Sequence, residues 1–355
     1  MLQLNMPPGA SLDLSCAAVR GIFCLLPDPN NPTLPHVLKG SDGEVYHLRH
    51  ASGDEFALKV FYPHRRHART VERAKQLNSL SALPGLRCAG RYCFQPLLDG
   101  GLIRSFPALE YAVLTPWVTG PCWSDLVEAG RVVSVVTSTM IAWAAATVLH
   151  ELERRGVSHG DISGENVVLD RDIGGIQLLD LEDLSGAGVA ESGRLVLGTP
   201  GYNLLHDSRG VNQASSDRFA AAVLLAEMVC WSDPVVVAGR SGGRSYFDPE
   251  ELKIQAPARW SLLCGALQRR SEDLAALFVR TWQAKHRAEG AAISEWLAAI
   301  SRLLGHADDF VGASTTDAST KSTTAPCDPP VSGTWSGAKT LPPRSVTVVD
   351  RKSVV

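Results

Sequence analysis

No two cysteines in this chain are spaced as C-x-x-C, although its 355 residues include eight. Scattered thiols of this kind suit neither a zinc site nor a small disulfide framework, and they imply reduced cysteines in a cytoplasmic protein. No secretory leader is expected, since residues 1–14 have no basic start and no apolar core. No membrane span stands out. The most apolar stretches, 132–149 and 219–231, carry polar residues or are too short, and read as buried helices. Nor does one charge dominate. With 34 Lys and Arg against 37 Asp and Glu, the net charge of −3 gives no reason to expect a nucleic-acid partner. No internal repeat is visible.

What is present suits a globular protein. Hydrophobic residues make up 45% and charged residues 20%, and the length allows two lobes or domains. Residues 1–35, rich in Pro, Asn and small residues, read as an irregular extension. From His36 to Phe61 two apolar-rich runs flank a Gly-containing turn, a pattern for antiparallel strands. Thr70–Leu83 has helical spacing at Val71, Ala74, Leu77 and Leu80, and Pro84-Gly85 stops it. Tyr92–Leu98 and Tyr111–Val118 read as further strands, and from Trp123 the pattern turns helical. Residues 305–355 form a Ser-, Thr- and Pro-rich tail expected to be disordered. The expected class is therefore α+β, with a β-rich front and an α-rich back.

The chemistry concentrates in His159-Gly160-Asp161-Ile162-Ser163-Gly164-Glu165-Asn166, which runs into apolar Val167-Val168-Leu169. One strand later, Leu178-Leu179 ends in Asp180. A loop Asp that can take a hydroxyl proton, near an Asn and an Asp that can hold Mg²⁺, is the equipment of phosphoryl transfer. An isolated H-x-D would more often be a turn. The added Asn and the second strand-end Asp make chance a poor account of this one.

These residues resemble the catalytic loop and metal-binding strand of the protein-kinase-like superfamily, and further motifs follow in kinase order over about 36–304. Leu38-Lys39-Gly40-Ser41-Asp42-Gly43-Glu44-Val45 resembles a glycine-rich loop without its first glycine. Phe56-Ala57-Leu58-Lys59-Val60 resembles V-A-I-K. Gly198-Thr199-Pro200-Gly201-Tyr202 resembles the segment that shapes the peptide platform. Ser216-Asp217 opens a run like the buried helix whose Asp braces the catalytic loop, and Arg287 to Leu297 resembles a late R-P-S-A-x-E-W-L pattern common in bacterial kinases.

The resemblance implies a two-lobed fold, with an N-lobe at about 36–115 and a C-lobe at about 119–304. It implies ATP and Mg²⁺, with Mn²⁺ as a substitute, and transfer to protein Ser or Thr hydroxyls. Asp161 would be the base, Lys59 the phosphate anchor, and Asn166 and Asp180 the metal ligands. Gly40, Gly43, Val45, Ala57, Thr115, Trp117 and Val118 would surround the nucleotide, Thr115 as gatekeeper and residues 116–118 through backbone groups. Glu72 would be the helix partner of Lys59. No membrane partner is expected, and the tail would be an autophosphorylation region or a partner site.

The sequence also departs from the pattern. Gly160 replaces the usual Arg, Ser163 replaces Lys, Asp180-Leu181-Glu182 replaces D-F-G, and A-P-E is missing. Of the hydroxyls between Asp183 and Leu197, Ser185 and Ser192 are the candidate phosphoacceptors, and Gly160 could not bind a phosphate there. Two alternatives follow: a nucleotide-binding scaffold without transfer, and a small-molecule phosphotransferase of the aminoglycoside or choline kinase type, which shares H-G-D-x-x-x-x-N.

Overall fold

Period-two alternation from Glu44 to Leu48 is the local rule from which the first part of the structure grows. Tyr46 and Leu48 are buried, whereas Val45 and His47 stand on the opposite face. The structure, a computed structural model, describes residues 4, 6–14, 21–170, 175–189, 198–203 and 214–313, with side chains to residue 305. The chain divides into two units, one ending at Val118 and the other beginning at Thr119.

In the first unit, seven antiparallel strands among the described residues form one sheet. They are β1 (Ser11–Asp13), β2 (Ile22–Leu25), β3 (Val37–Lys39), β4 (Gly43–His50), β5 (Glu55–Phe61), β6 (Tyr92–Cys93) and β7 (Val113–Pro116). The order is β1-β2-β4-β5-β7-β6, and β3 also pairs with β4. β2 takes the Leu48–His50 end of β4 and β3 takes its Glu44–Tyr46 end, so the two lie end to end along one edge. One face carries the core: Leu12, Leu14, Phe23, Leu25, Tyr46, Leu48, Leu58, Phe94 and Leu114.

This corrects the reading of residues 1–35 as irregular. Leu12, Leu14, Phe23 and Leu25 are at most 1% exposed, because alternation within three- and four-residue strands is enough to bury one face. Runs this short fall below the length at which period two is visible in sequence.

Helix α1 (Arg69–Asn78) presents Val71, Ala74 and Leu77 inward and ends before Leu83, in turns that Pro84-Gly85 closes. The expected strand Tyr92–Leu98 is a strand for two residues only. Pro96 then opens α2 (Pro96–Ser105), with proline in the first turn, where its missing N–H costs nothing. Asp99 holds that start by accepting from Gln95 N at 2.8 Å and from the Tyr92 hydroxyl.

The second unit is mainly helical. It contains α3 (Trp123–Ala129), α4 (Val135–Arg154), α5 (Arg218–Cys230), α6 (Pro234–Ala238), α7 (Ala258–Arg270), α8 (Glu272–Gln283) and α9 (Ile293–Ala313). Two small antiparallel pairs lie among them. β8 (Val157–Ser158) pairs with β11 (Ser185–Gly186), and β9 (Val167–Asp170) pairs with β10 (Gly175–Leu178). Helix α5 is buried along its whole length from Ala221, as expected of a helix apolar on every side. By length and composition α4 could cross a membrane, but here it packs on α5 and α9, and half of its most apolar stretch is buried. Ser138 on α4 bonds Val229 O of α5 at 2.9 Å.

Six cysteines, at 24, 88, 93, 122, 230 and 264, are free thiols. Most of the tail, together with Ser192, lies outside the described residues.

Candidate functional site

In the first unit, strand register decides which side chains share a face. β4 and β5 pair Val45 with Lys59 and His47 with Ala57, and β5 and β7 pair Lys59 with Val113 and Ala57 with Thr115. Paired residues, and residues two apart, project to one side. Val45, Ala57, Lys59 and Thr115 therefore form two adjacent rows on the face opposite Tyr46, Leu48, Leu58 and Leu114. The Lys59 ammonium sits 5.6 Å from the Phe61 ring centroid.

The β3–β4 turn carries Gly40 and Gly43, closed by Gly40 N donating to Gly43 O at 2.9 Å. Its tip is anchored: Tyr62 N bonds Asp42 O, and Arg65 Nε lies 3.2 Å from the Asp42 carboxylate. A Cβ on Gly43 would meet Val60 O at 2.2 Å, so close approach of β5 already demands glycine there. Beside Gly40 the space is open except for Gly43 O at 3.7 Å.

Glu72 does not meet the expectation of a Lys59 partner. Its carboxylate lies 3.7 Å from Lys75 Nζ, one turn along α1, and is 66% exposed. The cause is geometric: Val71, Ala74 and Leu77 define the buried stripe of a ten-residue helix, and Glu72 stands about 100° away from Val71. Trp117 also differs from a simple hinge residue. Its indole stacks on His47, with centroids 3.8 Å apart and planes 12° apart, while the Trp117 backbone N–H donates to Glu55 O. His47 Nε2 bonds Glu55 at 2.8 Å, yet burial outweighs that partner and lowers the imidazole to about 4. Val118 ends the unit.

In the second unit, the loop 159–166 is held by groups from three sides. His159, fully buried, links it to the next strand: Asp161 N approaches Nδ1 at 3.3 Å, and Nε2 lies 2.9 Å from Leu179 O. An accepting Nδ1 leaves the proton on Nε2, which then donates to Leu179. Leu179 N in turn bonds Asn166 O. Below the loop, Asp217 receives His159 N at 2.5 Å and Gly160 N at 2.9 Å. Gly160 has φ +84°, a left-handed backbone that a side chain such as the usual Arg would strain. Burial raises the Asp217 carboxyl above its ordinary range, against the pull of His159, the two amides and the charge of Arg287. Arg287, whose A-P-E partner is missing from the sequence, thus has an acid acting on it.

The Asp161 carboxylate is bonded at both oxygens. Asn166 Nδ2 donates to Oδ2 at 3.1 Å and to the Asp161 carbonyl at 2.8 Å, and the Thr199 hydroxyl donates to Oδ1 at 2.7 Å. Asp180 adopts a left-handed conformation, φ +53° and ψ +55°, which Asp tolerates better than most residues and which often marks functional positions. Ser163, at the position of the usual Lys, is fully buried, and its hydroxyl has no hydrogen-bond partner. Thr199 is a site residue that single-residue reasoning passes over. The signal was its place within Gly198–Tyr202, but nothing local says that its hydroxyl reaches Asp161.

Among the described residues, no three His, Cys, Asp or Glu side chains form a metal-binding group. An amide and a carboxylate make a different kind of site, because Mg²⁺ takes one or two protein oxygens and completes its shell with phosphate and water. With its nitrogen committed to Asp161, the Asn166 amide has its oxygen left for a hard cation. The donor chemistry of Asn166 and Asp180 fits Mg²⁺.

No protein-family model matches the chain. It is 30% identical to the DNA damage-responsive serine/threonine-protein kinase RqkA of Deinococcus radiodurans, over 56% of this chain and 29% of that protein. The chain thus spans less than a third of the curated relative it matches. This similarity to a serine/threonine kinase points to a protein-kinase-like relationship and to phosphoryl transfer in general.

Proposed function

We propose that the protein is an ATP- and Mg²⁺-dependent protein kinase of the two-lobed type, acting on Ser or Thr hydroxyls. The observation that carries this reading is Asp161, fixed by Asn166 at one oxygen and by Thr199 at the other. A carboxylate so oriented can accept the proton of an incoming hydroxyl. His159 and Asp217 supply the rigidity, by holding the backbone on either side of it. In the first unit, Lys59 would hold the α/β-phosphates as a point charge, with Val45, Ala57 and Thr115 on the same sheet face to meet the adenine. Gly40 and Gly43 would bring backbone N–H groups to the phosphates. Asn166 and Asp180 would hold Mg²⁺, which supplies charge neutralisation at the phosphates when bound.

The similarity to a serine/threonine kinase favours a protein acceptor over a small alcohol. One observation supports a second reading, a scaffold that binds nucleotide without transfer. Glu72, the acid expected to order Lys59, is exposed and paired with Lys75. Labelled ATP with Mg²⁺ or Mn²⁺, given with generic protein acceptors and with small alcohols, tests both. Transfer to protein supports the kinase. Nucleotide binding without transfer supports the scaffold, and transfer to small alcohols alone identifies the third class.

A further inference from the structure

Arg270 ends α7, where a cation complements the unpaired carbonyls of the last turn. Its guanidinium, however, reaches two other elements. Nη1 donates to Ser232 Oγ at 2.9 Å, in the turn after α5, and Nη2 donates to Thr139 Oγ1 at 2.6 Å, on α4. Both partners are neutral hydroxyls. Other guanidinium groups of this unit meet acids: Arg269 with Asp233 at 2.6 Å, Arg259 with Glu251 at 2.5 Å and Arg218 with Glu153 at 2.6 Å. Among the described residues, no carboxylate pairs with Arg270.

The two hydroxyls differ in what they have left to give. Thr139 is buried; its proton goes to Val135 O at 2.8 Å and its oxygen accepts from Arg270, so it orients the guanidinium and nothing more. Ser232 accepts from Arg270 and donates to no described residue, which leaves its O–H beside the guanidinium. A guanidinium carries five N–H groups, and these contacts use two of them. Ser232 and Arg270 are both partly exposed, so a small solute can reach them. The surrounding charge favours an anion. Asp233 is committed to Arg269 and to Val235 N, and burial pushes the Cys230 thiol up to about 12, which keeps it neutral. Two guanidinium groups thus stand against one carboxylate. Burial lowers the Arg270 guanidinium from its ordinary range, as expected of a cation held by dipoles alone.

We propose that Arg270 and Ser232 form a binding site for a phosphate group, with Thr139 holding the guanidinium in place. The fork of Arg270 offers paired N–H donors, and the Ser232 hydroxyl adds a third. Three donors suit the several oxygens of a tetrahedral oxyanion, whereas the fork alone would take up both oxygens of a carboxylate. The same donors suit inorganic phosphate and the phosphate of a monoester. No residue assigned to phosphoryl transfer takes part, so the site is independent of the kinase reading. A bound anion would join α7 to the turn after α5, beside the contact that already joins α7 to α4.

Calorimetric titration of the full chain with inorganic phosphate, without nucleotide or Mg²⁺, tests this. The wild type should bind at millimolar concentrations. Displacement by O-phosphoserine identifies monoesters as ligands, and failure to displace identifies the free ion. Arg270→Lys keeps the charge and loses the fork, and Ser232→Ala removes one hydroxyl. Each should weaken binding by ~10-fold, as the loss of a charge-assisted hydrogen bond predicts. Circular dichroism checks the fold, and Ser232→Ala serves alone if Arg270→Lys does not fold. Lys59→Ala should bind phosphate as the wild type does, because Lys59 belongs to the other unit. No binding by the wild type, undiminished binding in folded Ser232→Ala, or acetate bound as tightly as phosphate overturns the proposal. Binding lost in Lys59→Ala and kept in Arg270→Lys would place the anion elsewhere and overturn it too.

Discussion

Thr199 donates its hydroxyl to Asp161 Oδ1 at 2.7 Å across 38 residues of chain. A carboxylate bonded at one oxygen can still rotate; bonded at both, it cannot turn without breaking a charge-assisted hydrogen bond. Thr199→Ala should therefore leave the base present but loosely aimed. The expected loss in kcat is ~10-fold to 100-fold, with thermal stability within about 1 kcal/mol of wild type. Thr199→Ser should recover most of the rate. Equal activity of the alanine and wild-type proteins would show that the contact has no catalytic role.

Asp161→Ala and Asp180→Ala should each abolish transfer while leaving the far-UV circular dichroism intact. They should differ in binding. Asp180→Ala should weaken Mg²⁺-dependent nucleotide binding, measured by calorimetry, and Asp161→Ala should not. Wild-type turnover by either variant would show the site assignment to be wrong.

Lys59→Ala should cut transfer strongly by removing a point charge from the phosphates. Glu72 no longer shares that expectation. As half of an exposed i,i+3 pair, its loss should cost less than ~0.5 kcal/mol and change transfer by no more than twofold. A defect in Glu72→Ala as large as that of Lys59→Ala, with no further loss in the double variant, would restore it as the partner.

Two buried groups should tilt stability with pH in opposite directions. Burial raises Glu227 from 4.5 to about 7. Between those values the folded protein keeps a proton that the unfolded chain has released, so stability falls as pH rises, and the contribution is complete only below about 4.5. Burial lowers His47 from 6.5 to about 4, so the unfolded chain binds the proton first. That contribution is present above 6.5 and fades as pH falls toward 4. Glu227→Gln should remove much of the falling limb, Asp217 keeping the rest, and urea midpoints of the variant should rise more steeply from pH 4 to 6.5 than those of wild type. Parallel curves for the two proteins would refute the assignment.

Ser185 is buried in β11, with its hydroxyl 3.5 Å from that of Ser158. A kinase acting on the folded protein cannot reach it. Ser185→Ala should keep near-wild-type activity, and phosphopeptide mapping after incubation with ATP should find no phosphate there. Stoichiometric modification of Ser185 in folded protein would contradict this placement.

Legibility in the sequence follows the distance over which each feature is encoded. Asp161 and Asn166 share one loop, and their contact is implied by five residues of spacing. The shared face of Val45, Ala57, Lys59 and Thr115 follows from alternation once the strands are paired. Glu72 is different: being the one acid in a helix says nothing about which way that helix is rolled, and Val71, Ala74 and Leu77 decide the roll. Helix α2 hides because Tyr92–Leu98 reads as one strand that runs through Pro96, whereas the fixed φ of that proline also suits a first helical turn. Thr199 and Glu227 act across 38 and 104 residues, on Asp161 and Trp123. No window along the chain contains both ends of such contacts.

The end-to-end arrangement of β2 and β3 on one edge of β4 has a practical consequence. A fragment begun at His36, the boundary that motif reading suggests, would strip β2 from Leu48–His50 and leave those backbone N–H and C=O groups as an open edge. It would also bare Tyr46 and Leu48, which Leu12, Leu14, Phe23 and Leu25 help to cover. An unprotected edge beside a fresh apolar face is a template for strand addition between molecules. Such a fragment should elute as soluble aggregates on size exclusion, whereas one retaining residues 4–35 should elute as a single species. The first strands of this chain should thus act as a seal against self-association, and a fragment without them would lose function for reasons unrelated to its site residues.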